Sequence, residues 1–271
     1  MGRPHVAVRI GIVFGAATAI WLFLHWARDA VFGASDYDRG AHVFSAVTAT
    51  VLAVPLVVLA WRYLNRVPWT RLRRASPRTV GRLLTAGSVG YLIPAAAALT
   101  IFLIAGWLTI DLDGSIGDLV LSVLTLVVLV FLYEALPEEF IFRGYIFRNL
   151  AAVLPTWAVV FVQALLFALF GVLVGAAGSV ERIVIFFGFA VVQGWLRAVT
   201  DTLWVPIGFH LAFQSCEQIA GPNWNRFVVD DLALLQDLVL GLIPLALGVL
   251  VVQSLGRWAR RPAVRNEVSL T

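Results

Sequence analysis

Residues 117–144 read GDLVLSVLTLVVLVFLYEALPEEFIFRG, and this stretch decides the fold. Its first part, 117–137, is an apolar block of the length, roughly 20 residues, that crosses a hydrocarbon core as a helix. The block runs without a break into Glu134, Glu138, Glu139 and Arg143, set among Tyr133, Phe140, Ile141 and Phe142. Ionisable groups inside or at the edge of a span cost roughly 2.5–3.5 kcal/mol each on insertion scales. The stretch is therefore a membrane span whose end needs a chemical explanation.

Working outward, the same pattern recurs at 7–27, 41–62, 84–108, 155–177, 183–203, 205–220 and 232–255. The chain of 271 residues is 61% hydrophobic and 13% charged, with a mean hydropathy of +0.90. That leaves too little polar surface to coat a water-soluble globule, and the apolar residues come in long blocks, not amphipathic stripes. The expected fold is all-α, a polytopic transmembrane helix bundle of about eight spans with the lipid bilayer as its main partner. One integrated membrane domain is expected, with N-terminal transmembrane helices over 1–110, a motif-bearing core over 117–220, and a final span with a basic tail over 232–271. The first block, preceded by Arg3 and with Arg9 near its start, resembles a signal sequence, but it is long and further spans follow, so it reads as the first transmembrane helix.

All 20 basic residues are Arg. Arg62, Arg66, Arg71, Arg73, Arg74, Arg78 and Arg82 cluster between the second and third blocks, which the positive-inside rule assigns to the cytoplasm. Counting spans from there puts the N-terminus, the 138–150 segment and Arg257, Arg260, Arg261 and Arg265 inside as well. Asp36, Asp38, Asp111, Asp113, Asp118, Asp230 and Asp231 fall outside. The expected location is the cell membrane, multi-pass, with N- and C-termini cytoplasmic. Seven spans would leave the C-terminal Arg cluster outside, and the two blocks flanking Pro206 also read as one kinked helix. The Arg clusters are topology signals, so no nucleic-acid partner is expected. The single cysteine, Cys216, excludes an internal disulfide framework and a Cys-based zinc or iron–sulfur site built by this chain alone.

Two clusters carry chemistry. In the first, Glu139 and Arg143 are four apart and can pair on a helix, leaving Glu138 to face something else; the bland alternative is a helix end whose charges snorkel into the headgroups. In the second, 204–214, His210 and Gln214 share a helix face, with Glu217 close to it. A lone intramembrane His is often only an interhelical hydrogen-bonding group. On the topology above, both clusters lie towards the cytoplasmic side. Carboxylates and an imidazole converging there make a hydrolytic site, with Glu activating water and His binding a metal or polarising that water. Arg197 and Asp201, also four apart, read as a buried structural pair. Trp61, Trp69 and Trp107 read as interfacial anchors, and His5, His25 and His42 are assigned no role.

These residues resemble the CAAX prenyl protease and bacteriocin-processing (CPBP, Abi) intramembrane endopeptidases. Glu138, Glu139 and Arg143 match the family's Glu-Glu-x-x-x-Arg motif. His210 matches the His-x-x-x-Asn motif, with Gln214 in place of the amide. The family's Phe-x-x-x-His motif corresponds to Phe167–Gly171, where the histidine is absent. The resemblance implies an intramembrane metalloendopeptidase, with a glutamate-activated water cleaving the peptide bond of a membrane-associated peptide or lipidated protein. Glu138 is then the general base or water ligand, and Glu139 a partner or ligand tied to Arg143. His210 is a metal or water ligand, and Gln214 steadies the oxyanion. Zinc is the implied cofactor, with Glu138 and His210 as its ligands, weakened by Gly171; Gln163, Glu134 and Glu217 are candidate stand-ins. Gly171 also lies about 24 Å along a helix that starts near 155, far from a cytoplasmic site. The alternative is a catalytically inactive relative that binds membrane partners or serves as an immunity protein. A transporter is disfavoured by the lack of an internal repeat.

Overall fold

The structure is a computed structural model and describes residues 4–33, 37–67 and 75–259. Arg3, Asp36, Trp69, Arg71, Arg73, Arg74, Arg260, Arg261, Arg265 and the side chain of Arg257 lie outside the described residues. Among the described residues the chain forms α1 (Val6–Phe32), α2 (Arg39–Leu64), α3 (Pro77–Ile104), β1 (Ile110–Leu112), α4 (Ile116–Ala151), α5 (Thr156–Leu173), α6 (Val180–Thr200), α7 (Trp204–Ala220) and β2 (Phe227–Val229). The last helix, α8, is π-helical over Leu234–Leu242 and α-helical over Ile243–Ala259. All but α7 are long and apolar enough to cross a membrane. The protein is an all-α polytopic membrane bundle.

Local chemistry sets where the helices begin. Short polar residues stand immediately before the apolar runs and accept the otherwise unpaired backbone N–H groups of the first turn. Asp38 accepts from the Ala41 amide at 2.7 Å, Ser76 from Thr79 at 3.2 Å, Ser115 from Asp118 at 3.1 Å and Ser179 from Arg182 at 3.3 Å. The blocks flanking Pro206 are two helices, not one kinked helix. The break comes before the proline, at Asp201, which caps α6 in the left-handed conformation (φ 50°). Pro206 then sits in the first turn of α7, where its missing N–H leaves no intrahelical bond unmade.

With lipid on the outside, helices associate by close packing and polar contacts, not by expulsion from water. The crossing of α3 and α7 shows this. A Cβ on Gly208 would collide with the Leu84 carbonyl, and one on Gly87 with the Val205 carbonyl. The two backbones approach closely enough for Ser88 Oγ to donate to the Gly208 carbonyl at 2.9 Å. On the neighbouring face of α3, the buried Tyr91 hydroxyl donates to the Leu240 carbonyl of α8 at 2.8 Å. The outer surface is studded with exposed Leu121, Val128, Trp157 and Ile104, the last 83% exposed, a surface suited to acyl chains and not to water.

The bundle's two ends separate as the charge pattern requires. At one end β1 and β2 pair antiparallel, Ile110 opposite Val229, joining the Asp111–Asp113 loop to the loop holding Asp230 and Asp231. At the other, Asn65 beyond α2 donates to Asn149 of α4 at 2.9 Å, and Arg148 stacks over Trp61, 5.6 Å from the ring centroid.

Candidate functional site

The site is built where α4 departs from α-helical winding. Phe131–Ala135 and Phe140–Ile146 are π-helical, flanking a single α-turn, Leu136–Glu139. Turns that close i→i+5 rotate the chain relative to an α-helix and bring residues five apart towards one face. Glu134 and Glu139, five apart, both point at α7.

Glu139 is the hub. Its side chain is fully buried, and one oxygen, Oε1, takes three partners: Nη1 of Arg143 at 3.1 Å, Nε2 of Gln193 at 3.0 Å and Nδ1 of His210 at 3.0 Å. A carboxylate here only accepts, so Nδ1 of His210 donates to it, and the lone pair of the imidazole is left on Nε2. Gln193 also donates to the Pro206 carbonyl at 3.0 Å, clamping the start of α7 to α6. The ring of His210 stands edge-on to Phe189, 4.7 Å between centroids.

Arg143, buried like its partner, lies over the Phe167 ring at 4.6 Å. Its Nη2 reaches the Ala190 carbonyl at 3.5 Å, which also accepts from Gln163 Nε2 at 2.7 Å. The guanidinium is thus sandwiched between α5 and α6, with an aromatic face where water would otherwise be.

A second carboxylate lies one helical turn before Glu138. Glu134 accepts from Gln218 Nε2 at 2.9 and 3.1 Å and adjoins both Gln214 and His210. Glu138 makes no hydrogen bond among the described residues and is only partly buried. The structure therefore brings Glu138, Glu139, Arg143, His210 and Gln214 together, and adds Glu134, Gln193 and Gln218. Sequence reasoning does not single out Gln193. A neutral amide in an apolar helix carries no motif, and its one sequence signal is being a polar residue in the middle of a span.

Gln163 and Gln193 lie seven residues from the Arg-rich ends of α5 and α6, and His210 six from the start of α7. At 1.5 Å per residue the site is therefore about 10 Å inside the bundle, deeper than a helix-end site. Gly171 lies eight residues beyond Gln163 on α5, about 12 Å further along the axis. A Cβ there would stand 2.6 Å from the Phe186 ring, so Phe186 fills the space a side chain at 171 would need. Glu217 lies two turns beyond His210, about 10 Å along α7, beside Asp237 of α8. It shares a helix face with His210 but not its site. The Arg197–Asp201 pair forms at 2.9 Å, but Asp201 is 78% exposed, because as the left-handed cap of α6 it turns out of the bundle.

The donor set does not fit a zinc cage. Among the described residues no three His, Cys, Asp or Glu side chains are grouped to hold a metal ion. Gly171 offers no donor, and His210 presents one nitrogen, Nε2, since Nδ1 donates to Glu139.

Residues 120–216, which take in Glu134, Glu138, Glu139, Arg143, Gln193, His210 and Gln214, match the Rce1-like family described as Type II CAAX prenyl endopeptidases. Among curated proteins none matches the chain. The buried Glu139–Arg143–His210 network lies within the matched stretch, so it is the site-bearing part of this chain that is similar to the CAAX protease family.

Proposed function

We propose that this protein is an intramembrane endopeptidase that cleaves a membrane-associated or lipidated peptide, with its Arg-rich end and both termini cytoplasmic. The observation that carries this reading is the fixing of His210 by buried Glu139, which leaves Nε2 free in a cluster with Glu134, within electrostatic range of His210, and Glu138, within range of Glu134 and Glu139. Glu138, without a hydrogen-bond partner among the described residues, is the general base. It takes a proton from a water molecule held against Nε2 of His210, and the hydroxide adds to the peptide carbonyl carbon. Collapse of the tetrahedral adduct breaks the C–N bond, and the leaving amine takes its proton from Glu138. The amide of Gln214, beside Glu134, serves the developing oxyanion. A zinc ion at this site requires a donor beyond Glu138 and His210, which Gly171 does not supply, and no step is assigned to one.

One observation favours a second reading, a silent relative that binds membrane partners. The helix position corresponding to the family's second-motif histidine is Gly171, and Phe186 packs into its place. Cleavage of a lipidated reporter peptide in proteoliposomes separates the two. The endopeptidase reading predicts turnover that Glu138→Gln abolishes; the silent reading predicts none in wild type.

A further inference from the structure

At the Arg-rich end of the bundle a cavity of about 140 Å³ opens between α4, α5 and α6, lined by Phe147, Leu154, Thr156, Arg197, Ala198 and Asp201, among others. A single ordered water needs roughly a tenth of that volume. Two independent features of its walls are electropositive, and a third positive charge lies nearby. Arg197 is buried, only 7% exposed, and its Nε has no hydrogen-bond partner. The 18-residue helix α5 begins at the cavity with Thr156, and Pro155 before it makes no side-chain cap, so the first N–H groups of a long helix face the cavity uncapped. Arg148 lies within electrostatic range of both Arg197 and Asp201. Of the polar contacts at Arg197, one is already made, Nη1 to Asp201 Oδ1 at 2.9 Å.

An unpartnered guanidinium N–H beside an uncapped helix N-terminus is the arrangement that holds tetrahedral oxyanions, since both present N–H donors and positive potential to the same point. The cavity sits where α4 and α6 end and α5 begins, the level of lipid headgroups for a bundle of this length. We propose that it binds a phosphate group, that of a phospholipid headgroup, with Arg197 Nε and the α5 amides as donors. The exposed carboxylate of Asp201 competes with it for Arg197. The inference is independent of the proposed reaction, because the cavity lies a helical turn beyond Arg143 and Gln193 and uses none of the hydrolytic residues.

The test is native mass spectrometry of the full chain in detergent, titrated with phosphatidylglycerol, and separately with inorganic phosphate. Wild type is expected to bind one lipid saturably, Arg197→Gln to weaken binding by roughly tenfold or more, and Asp201→Asn to tighten it. Asn is well tolerated in the left-handed cap position, and a gain in affinity is not an outcome misfolding produces. Lipid binding that resists millimolar inorganic phosphate identifies the headgroup as the source. Saturable inorganic phosphate binding with the same response to both variants identifies free phosphate. Binding of both probes that is indifferent to Arg197→Gln and Asp201→Asn, or no saturable binding of either, overturns the proposal.

Discussion

Nδ1 of His210 lies 3.0 Å from Oε1 of Glu139, across 71 residues of chain and between two different membrane helices. The same oxygen also receives Arg143 and Gln193. One buried carboxylate thus sets the position of a cation, an amide and an imidazole, while its neighbour Glu138 is left without a hydrogen bond among the described residues. In the proposed reaction, structural and chemical roles fall to adjacent residues.

That division predicts opposite outcomes for the two glutamates. Glu139→Ala leaves the Arg143 charge buried and unpaired, and should destabilise the protein by about 3–5 kcal/mol in detergent unfolding. Glu138→Gln breaks no hydrogen bond seen here and should change stability by less than about 0.5 kcal/mol. Activity should nonetheless fall by roughly 10²–10⁴-fold, the contribution of a general base.

Gln193 joins Glu139 to the Pro206 carbonyl. Gln193→Leu leaves that carbonyl and one Glu139 contact unmet, and should cost about 1–3 kcal/mol. Because α7 loses its clamp to α6, kcat should fall more than KM rises. Unchanged kcat in a folded variant would argue that Gln193 is packing alone.

Gly171→His is expected neither to bind zinc stoichiometrically nor to raise activity. Phe186 lies 2.6 Å from the position of the new Cβ, and overpacking of this kind costs about 1–3 kcal/mol. Relieving the clash with Phe186→Ala should restore stability without creating a metal site, because position 171 is about 12 Å beyond Gln163 along α5. Metal analysis of the double variant checks this.

At the opposite end, outside the spans, the amide of Thr109 donates to Asp230 at 3.0 Å and holds its carboxyl below the usual carboxylate range. With the folded value depressed, the contact stabilises the loop above the ordinary carboxylate range, and that contribution is lost as pH falls through the depressed value. Protection of the Thr109 amide, relative to its intrinsic exchange rate at each pH, should therefore fall on acidification, and Asp230→Asn should remove that pH dependence of protection.

The order and number of helices are legible in the sequence because every apolar block except the one forming α7 is about as long as a bilayer is thick, and α2, α3, α4 and α6 each begin at a short polar cap. The Glu139–Arg143 pairing follows from helical spacing. What spacing does not reveal is a change of winding. The π-turns over Phe131–Ala135 and Phe140–Ile146 swing Glu134 towards α7, where Gln218 receives it. Gln193 depends on which faces of α4, α6 and α7 meet, a tertiary fact with no local signature. The position of the break before α7 is hidden in the sequence because Pro206 is the conspicuous residue, whereas the chain turns at Asp201.

The proposed reaction is hydrolysis of peptide bonds within the membrane at the Glu138–His210 site. The most direct measurement is cleavage of a lipidated reporter peptide by purified protein in proteoliposomes, with Glu138→Gln and His210→Ala beside it and folding verified for all three. Cleavage by wild type and its loss in both variants are expected; cleavage undiminished in Glu138→Gln, or none by folded wild type, overturns the proposed function.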